Sequence, residues 1–317
     1  MDRRTFAQSM AASALAAVAA GRGPVAEAVP AASGPLSKGP EFGLSVMLWT
    51  VFRDLPFEQR LEKMAEAGYR NVELVGEYAK WTDADFERAI AARKRLGIRF
   101  DATAGMENAG HAHGLADPAY RDPFLAELKQ ALTPMERLDC PAMIVLSGDT
   151  VPGLSREAQH ASCVEGLKQA AKLVDGKKID GQPVRLLLEC IHVEERPKYF
   201  LTSAAEGIEV VRAVNHPQVQ FLYDIFHEQM GFGNLIEKLD KNIDVIGLIH
   251  VADVPGRHDP GTGEINYGNI YRKLAELKYR KSVAMEFLPV GDPVEALKKA
   301  REMVERDVQA EGAQASG

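Results

Sequence analysis

The sequence is poor in cysteine, in basic residues and in long apolar runs. Its 317 residues include three cysteines, and an odd count leaves at least one thiol without a partner in the chain, so no disulfide framework is expected. The 38 Lys and Arg are outnumbered by 45 Asp and Glu, which gives a net charge of −7. No nucleic-acid partner is expected, because phosphate recognition requires clustered Lys and Arg.

The first 41 residues lack the pattern of a folded domain. Arg3 and Arg4 precede a small apolar run, Ala11–Ala20, which is shorter than the roughly 20 residues needed to cross a bilayer. This order predicts an export signal over residues 1–21, and the paired arginines resemble a twin-arginine signal. Residues 22–41, rich in Pro, Gly, Ala and Ser, predict a linker. We therefore expect a periplasmic protein with no stable membrane insertion after signal removal; the alternative is an amphipathic N-terminal helix.

From residue 42 onward, short apolar runs alternate with longer helical patterns. Eight strand–helix units follow one another without a second domain boundary. The predicted strands are 44–48, 71–75, 98–102, 142–146, 184–189, 219–224, 245–251 and 282–286. The predicted helices are 56–67, 83–96, 123–138, 156–174, 204–214, 233–239, 267–277 and 293–308.

This alternation predicts an α/β fold, a (β/α)8 TIM barrel over residues 42–307. Regular strand–helix alternation requires right-handed crossovers and a parallel sheet, and the length is close to the ~250 residues typical of such barrels. An open doubly wound sheet is the alternative, but no Gly-rich phosphate loop follows the first strand. Residues 308–317 predict a flexible tail.

In each of the last four predicted strands, an apolar run ends in a residue type that binds metals. The carboxyl ends of barrel strands face the active site, and carboxylates that converge there repel one another unless a cation relieves them. Three carboxylates and one imidazole suit Mn²⁺, Mg²⁺ or Co²⁺ better than a structural zinc. For any one of these residues, a strand-end cap or an ion pair is the alternative. The four predicted metal ligands are Glu189, Asp224, His250 and Glu286.

Further polar residues lie just beyond these strand ends. Arg257 belongs to the loop after the seventh strand, where three glycines and two prolines predict a shaped loop that brings it over an anionic or polyhydroxylated substrate. Glu264 closes the same loop, and Glu195 lies six residues past the fifth strand. His227 lies three residues past the sixth strand. These four are candidate substrate-binding residues; a solvated turn, or a surface charge for Glu195, is the alternative.

Several segments resemble the hydroxypyruvate isomerases, over nearly all of residues 42–307. The loop after the seventh strand carries the most specific part of this resemblance. The family belongs to the xylose isomerase-like barrels, together with ketose 3-epimerases of the D-tagatose 3-epimerase type. The matching segments are 44–48, 56–57, 67–73, 114–118, 199–201 and 252–267.

The resemblance implies a role for each site residue. Glu189 and Glu286 are expected both to bind the metal and to move protons as the catalytic pair. Where the isomerases usually carry Gln, this chain has His250, which follows the epimerase pattern. Cys190 stands where Pro is common. The remaining implied ligands are Asp224 and His250, and the implied substrate contacts are His227 and Arg257.

The expected function is a divalent-metal-dependent isomerase. It would interconvert a small hydroxy-aldehyde and a hydroxy-ketone through an enediolate, as a hydroxypyruvate isomerase does. Three alternatives are a ketose 3-epimerase, an exported lyase acting on oxidised glycosides, and a non-catalytic sugar-binding barrel. A phosphoesterase of the endonuclease IV type is disfavoured, because it needs a richer His cluster and a basic face, and the sequence shows neither. Relatives often pair or tetramerise, so a homo-oligomer fits the resemblance.

Overall fold

The computed structural model describes residues 40–106 and 114–314 and contains a closed barrel of eight parallel strands. Around the barrel, each strand pairs with its neighbours in chain order, and β8 closes onto β1. The predicted (β/α)8 TIM barrel is therefore confirmed. Its strands are β1 (Gly43–Met47), β2 (Asn71–Leu74), β3 (Arg99–Thr103), β4 (Ala142–Leu146), β5 (Arg185–Glu189), β6 (Val219–Asp224), β7 (Ile246–Val251) and β8 (Ser282–Met285).

Helices cover the outside of the barrel. The described part of the chain also contains three short 3-10 helices, at Leu48–Thr50, Glu77–Lys80 and Pro118–Tyr120. The α-helices are α1 (Phe57–Glu66), α2 (Asp83–Leu96), α3 (Arg121–Leu138), α4 (Arg156–Val174), α5 (Ala204–Val214), α6 (Ile225–Gly231), α7 (Leu235–Asn242), α8 (Tyr267–Glu276) and α9 (Pro293–Gln314).

Local chemistry accounts for the helix ends. Thr82 accepts a hydrogen bond from the Asp85 amide, and the Asp85 side chain accepts one from the Thr82 amide, so this capping box starts α2. Gly97 ends α2 in the left-handed conformation that glycine adopts without strain. At the site end, the side chain of Asp224 caps α6 by accepting from the amide of His227 at 3.1 Å. That cap fixes the start of the helix directly on the end of β6.

The barrel interior is filled by apolar side chains from seven strands. Along a strand, side chains alternate between the interior and the helices outside, so residues two apart share a face. Leu187 is interior, while Leu186 and Leu188 pack in the outer core. Burial of a leucine side chain such as these contributes roughly 1.5–3 kcal/mol. The interior residues are Met47, Ala102, Ala142, Ile144, Leu187, Leu222, Leu248 and Ala284.

Three features differ from the sequence-based boundaries or add to them. The helix α6 and a hairpin formed by Lys178–Ile179 and Gln182–Pro183 were not predicted. The helix α9 continues to Gln314, so the boundary expected at residue 307 falls inside it. The expected leader, 1–21, and all but two residues of the expected linker lie outside the described residues. None of the described helices is long and apolar enough to cross a membrane.

Candidate active site

The four predicted metal ligands meet at the carboxyl end of the barrel. Each can offer one atom such that all four atoms lie within 4.8 Å of one another, and all four residues are buried. The alternation of the strands explains this, because each ligand lies two residues after an interior apolar residue. These pairs are Leu187 and Glu189, Leu222 and Asp224, Leu248 and His250, and Ala284 and Glu286.

His250 is held between two carboxylates. Its Nε2 lies 2.8 Å from Glu73 Oε2, and its Nδ1 lies 2.5 Å from Glu286 Oε2. Glu73 is completely buried in β2, where the register with β3 shifts between Val72 and Glu73. A carboxylate on one imidazole nitrogen fixes the tautomer and aims the other nitrogen, an arrangement common behind metal ligands. Sequence reasoning missed Glu73, although a carboxylate inside an apolar strand is a signal that could have found it.

Arg257 joins the loop after β7 to the cluster. Its Nη2 lies 2.7 Å from Glu286 Oε2 and donates to Asp224 Oδ2 at 3.1 Å. Its Nε donates to the backbone carbonyl of Glu286 at 3.1 Å. Its Nη1 faces Glu195 Oε2 at 3.4 Å, and that carboxylate is 44% exposed. The predicted substrate-binding pair Arg257 and Glu195 therefore lies beside the predicted ligands.

A buried aspartate shapes the loop that carries Arg257. Asp253 Oδ2 accepts from the amides of Gly261 and Gly263, at 2.8 and 3.0 Å, and its Oδ1 accepts from the amide of Ile265 at 3.0 Å. At Gly263 a Cβ would lie 2.0 Å from the Val254 carbonyl oxygen, so only glycine fits there. The loop is thus rigidly built, as its glycines and prolines predicted.

A hydrogen bond joins His227 and His192 beside Arg257. The guanidinium can only donate, so at 3.2 Å it makes His227 Nε2 an acceptor and places the proton of a neutral His227 on Nδ1. That Nδ1 then donates to His192 Nδ1 at 2.7 Å. Burial lowers the pKa of His227 to about 4, which agrees with a neutral ring. His227 was predicted to lie in the site; His192 was not.

The two predicted catalytic carboxylates have opposite electrostatic environments. Burial, followed by the charge of Glu286, raises the pKa of Glu189 well above its usual range. Burial acts in the same direction on Glu286, but Arg257, His250 and Trp49 outweigh it and hold its pKa below the usual range. Trp49 Nε1 donates to Glu286 Oε1 at 2.6 Å, a contact that the sequence did not indicate. One carboxyl therefore favours a proton and the other favours ionisation.

The donor set fits a divalent cation. Two buried atoms that face each other at 2.5 Å, His250 Nδ1 and Glu286 Oε2, make no contact with hydrogen-bond geometry within the described residues, although Arg257 Nη2 lies 2.7 Å from the same oxygen. Buried polar atoms without partners are rare in folded proteins, and a cation bound to both would satisfy them. Three carboxylates and one imidazole are the hard and borderline donors that Mg²⁺, Mn²⁺, Co²⁺ and Zn²⁺ accept.

Glu264 does not join the cluster. It is exposed and accepts a hydrogen bond from Gln229 Nε2 at 3.2 Å. None of its hydrogen bonds or ion pairs within residues 40–106 and 114–314 reaches the four ligands or Arg257. Its predicted part in substrate binding therefore gains no support from the structure.

Comparison with known proteins identifies the family. The family model described as a xylose isomerase-like TIM barrel matches residues 61–306, most of the chain. The chain belongs to the xylose isomerase-like TIM barrels. A 2-oxo-tetronate isomerase from Haemophilus influenzae is 30% identical over 261 residues, which cover 81% of this chain and 97% of that protein. A putative hydroxypyruvate isomerase from Danio rerio is 32% identical, with 76% of this chain and 88% of that protein covered.

Among solved structures, an AP endonuclease, family 2, from Brucella melitensis superposes on this xylose isomerase-like barrel with a TM-score of 0.69. It is 25% identical, and the match covers 81% of this chain and 96% of that one. The resemblance to hydroxypyruvate isomerases and the expectation of an isomerase are confirmed by the curated relatives.

Proposed function

We propose that this barrel is a divalent-metal-dependent isomerase that interconverts a small hydroxy-aldehyde and a hydroxy-ketone through an enediolate, with hydroxypyruvate as the model substrate. The observation that carries the proposal is the pair Glu189 and Glu286, two buried carboxylates in one cluster with opposite pKa shifts. Proton transfer between adjacent carbons needs a group that removes a proton from one carbon and returns it to the other. Two carboxyl groups whose environments separate their pKa values can provide such a group.

The four strand-end residues would hold the metal. When bound, such a cation supplies Lewis-acid polarisation of the carbonyl, which acidifies the neighbouring C–H bond. Glu286 is fixed by Trp49 and Arg257, whereas the Glu189 carboxylate lies 3.9 Å from His250 Nδ1, beyond hydrogen-bond distance. Glu189 is thus the less constrained carboxylate. We assign it the larger part in carrying the proton, with Glu286 as the fixed partner.

Arg257 is the proposed anchor for a substrate carboxylate. Its Nη1 already faces a carboxylate, that of the partly exposed Glu195. A small 2-oxo acid could take that place, because guanidinium binds carboxylates with charge-assisted hydrogen bonds. The neutral His227 beside it donates a hydrogen bond to His192 and adds no second positive charge. Specificity for an anionic hydroxy-carbonyl compound follows from this single cation.

A ketose 3-epimerase is the second candidate. His250 follows the epimerase pattern, and its Nδ1 is aimed into the cluster. In an epimerase one glutamate would remove a proton and the other would return it to the opposite face of the same carbon. Both reactions use the same pair of carboxylates, so the product must decide between them.

Nuclear magnetic resonance in D₂O tests the proposal. The metal-loaded protein is incubated with hydroxypyruvate and, separately, with a panel of ketoses. Deuterium on the carbon that was the carbonyl carbon of hydroxypyruvate, together with the aldehyde product, is expected for the isomerase. Deuterium retained on C3 of a ketose with inverted configuration would favour the epimerase.

Two further measurements test the catalytic carboxylate and the metal. Glu189→Gln should lose turnover while keeping its fold. Unchanged activity after chelation would contradict the requirement for a metal.

Export to the periplasm is a second, separate proposal. It rests on Arg3, Arg4 and the apolar run that follows them in the sequence. Fractionation of cells that express the full chain should find the mature protein in the periplasm. The double change of Arg3 and Arg4 to Lys should retain it in the cytoplasm if the twin-arginine route is used. Equal export of the variant would exclude that route.

A further inference from the structure

The amino end of the barrel holds a cavity, remote from the four proposed metal ligands. Its volume is about 380 Å³. Its walls come from the first residues of several barrel strands and from the hairpin residues Gln182 and Pro183. The proposed isomerase reaction uses none of these residues.

Three cations line this cavity without a carboxylate partner in contact. Arg99, Arg185 and Lys281 form no ion pair within the described residues. A fourth cation, Arg280, is different, because it pairs with Glu41 at 2.9 Å. A cluster of unpaired cations stands against the overall charge of the chain, which is −7.

Backbone contacts hold two of these cations on neighbouring residues. Lys281 Nζ donates to the Ile246 carbonyl at 2.5 Å, and Arg185 Nη1 donates to the Gly247 carbonyl at 3.0 Å. The two carbonyls are adjacent at the start of β7. Burial, and then the charge of Arg185, lowers the pKa of Lys281 to about 8. Two like charges are therefore kept close together, and a bound anion would relieve their repulsion.

The acidic residues of the wall narrow the kind of anion. Asp139 pairs with Arg93, and Asp180 is exposed in the hairpin turn. Asp101 is the remaining acid. Its Oδ1 accepts from Ser45 Oγ at 2.8 Å, while its buried Oδ2 has no hydrogen-bond partner within the described residues. Burial raises the pKa of Asp101, while hydrogen bonds from Ser282 and Ser45 and the charge of Arg185 oppose that shift. In its ionised form the carboxylate only accepts hydrogen bonds, so it disfavours an anion without a proton and favours one with a hydroxyl group.

We propose that this cavity binds a small oxyanion that carries a hydroxyl group, with Arg99, Arg185 and Lys281 as the cationic contacts and Asp101 as the acceptor for the hydroxyl. The chemistry requires both features at once. Cations alone would bind any anion, and a carboxylate alone would reject all of them. Monohydrogen phosphate meets both requirements, whereas sulfate meets only the first.

Calorimetric titration of the metal-loaded protein with inorganic phosphate tests the site. Lys281→Met keeps the aliphatic stem and removes the charge, so we expect about ten-fold weaker phosphate binding, the value of one charge-assisted hydrogen bond. The matched control is Lys298→Met on α9, whose lysine pairs with Glu295 at the surface; it should bind phosphate like the parent protein. If Lys281→Met fails to fold, Arg99→Gln, an exposed position, replaces it.

Two further comparisons separate this cavity from the active site and test the class of anion. Arg257→Gln should leave phosphate binding unchanged. Loss of phosphate binding in this variant would place the phosphate at the carboxyl end of the barrel and overturn the proposal. Sulfate should bind the parent protein more weakly than phosphate. Asp101→Asn, whose amide can donate, should remove most of that difference. Absence of phosphate binding, or equal binding by Lys281→Met, would also overturn the proposal.

Discussion

At the scale of single residues, the meeting of the four proposed metal ligands was predictable, and the residues that position them were not. Glu189 and Glu286 end apolar runs, so strand alternation alone places them at the mouth of the barrel. Glu73 and Trp49 contact these ligands from strands and turns far away in sequence. The donor and acceptor roles of His192 depend on a neighbour 35 residues away. Such contacts between distant segments leave no periodic trace in one sequence.

The contact between Glu73 and His250 gives the first prediction. Glu73→Gln keeps a polar group at this position but removes the charge, so metal affinity should fall about 10- to 100-fold. Burial raises the pKa of Glu73 to about 7, so the neutral side chain should not lower the melting temperature of the metal-free protein at pH 8. Competition with a chelator measures the affinity. Glu62→Gln, on the surface of α1, is the control, and equal affinity of the two variants would refute the role of Glu73.

The histidine pair gives the second prediction. His192→Phe removes the acceptor for the Nδ1 proton of His227, and an unsatisfied buried donor costs about 1–3 kcal/mol. His227 should then change tautomer or turn, and kcat/KM should fall with little change in metal affinity. The ¹⁵N shifts of the His227 ring report its protonated nitrogen directly. His192→Asn, which retains an acceptor, should recover part of the activity; a Phe variant with parental ¹⁵N shifts would show that the pair does not act this way.

At the scale of elements, the long periodic segments were predicted well and the short ones were missed. The helix α4 (Arg156–Val174) begins and ends as its pattern predicts. By contrast, α6 has seven residues and starts on the Asp224 cap without an intervening loop. A helix this short has few turns over which an apolar period can be recognised. The hairpin at 178–183 consists of two-residue strands, below the length at which alternation is informative.

The loop after β7 gives a prediction at this scale. Asp253→Asn replaces one acceptor oxygen with a donor that faces the amides of Gly261 and Gly263 or Ile265. The free energy of unfolding should fall by about 1–3 kcal/mol. Because Arg257 is carried by this loop, kcat/KM should fall too, while the four ligands keep their metal. Thermal unfolding, steady-state kinetics and metal analysis measure the three effects, with the exposed Asp244→Asn as control. Loss of metal in parallel with activity would contradict this separation.

At the scale of the whole molecule, the barrel separates two opposite concentrations of charge. Three carboxylates gather at the carboxyl ends of the strands, and three cations that form no ion pair with any described residue gather at the amino ends. The apolar interior of the barrel lies between them and separates the two clusters. A single sequence reveals the first cluster, because its members end consecutive strands. It does not reveal the second, because Lys281, Arg185 and Arg99 look like ordinary charges at strand starts.

The amino-end cluster predicts a pH dependence of stability. The folded protein holds the pKa of Lys281 at about 8, below the ordinary 10.5. Below pH 8 the lysine is charged in both the folded and the unfolded protein, so the folded state bears the full free-energy cost of this partly buried charge. Between pH 8 and 10.5 the folded state releases the proton first, so the penalty fades. The melting temperature of the parent protein minus that of Lys281→Met should therefore rise from pH 7 to pH 10. Phosphate at pH 7 should also raise this difference in melting temperature, because the bound anion offsets the charge of Lys281, which the variant lacks. A difference that depends on neither pH nor phosphate would exclude a charged Lys281 that is accessible to anions.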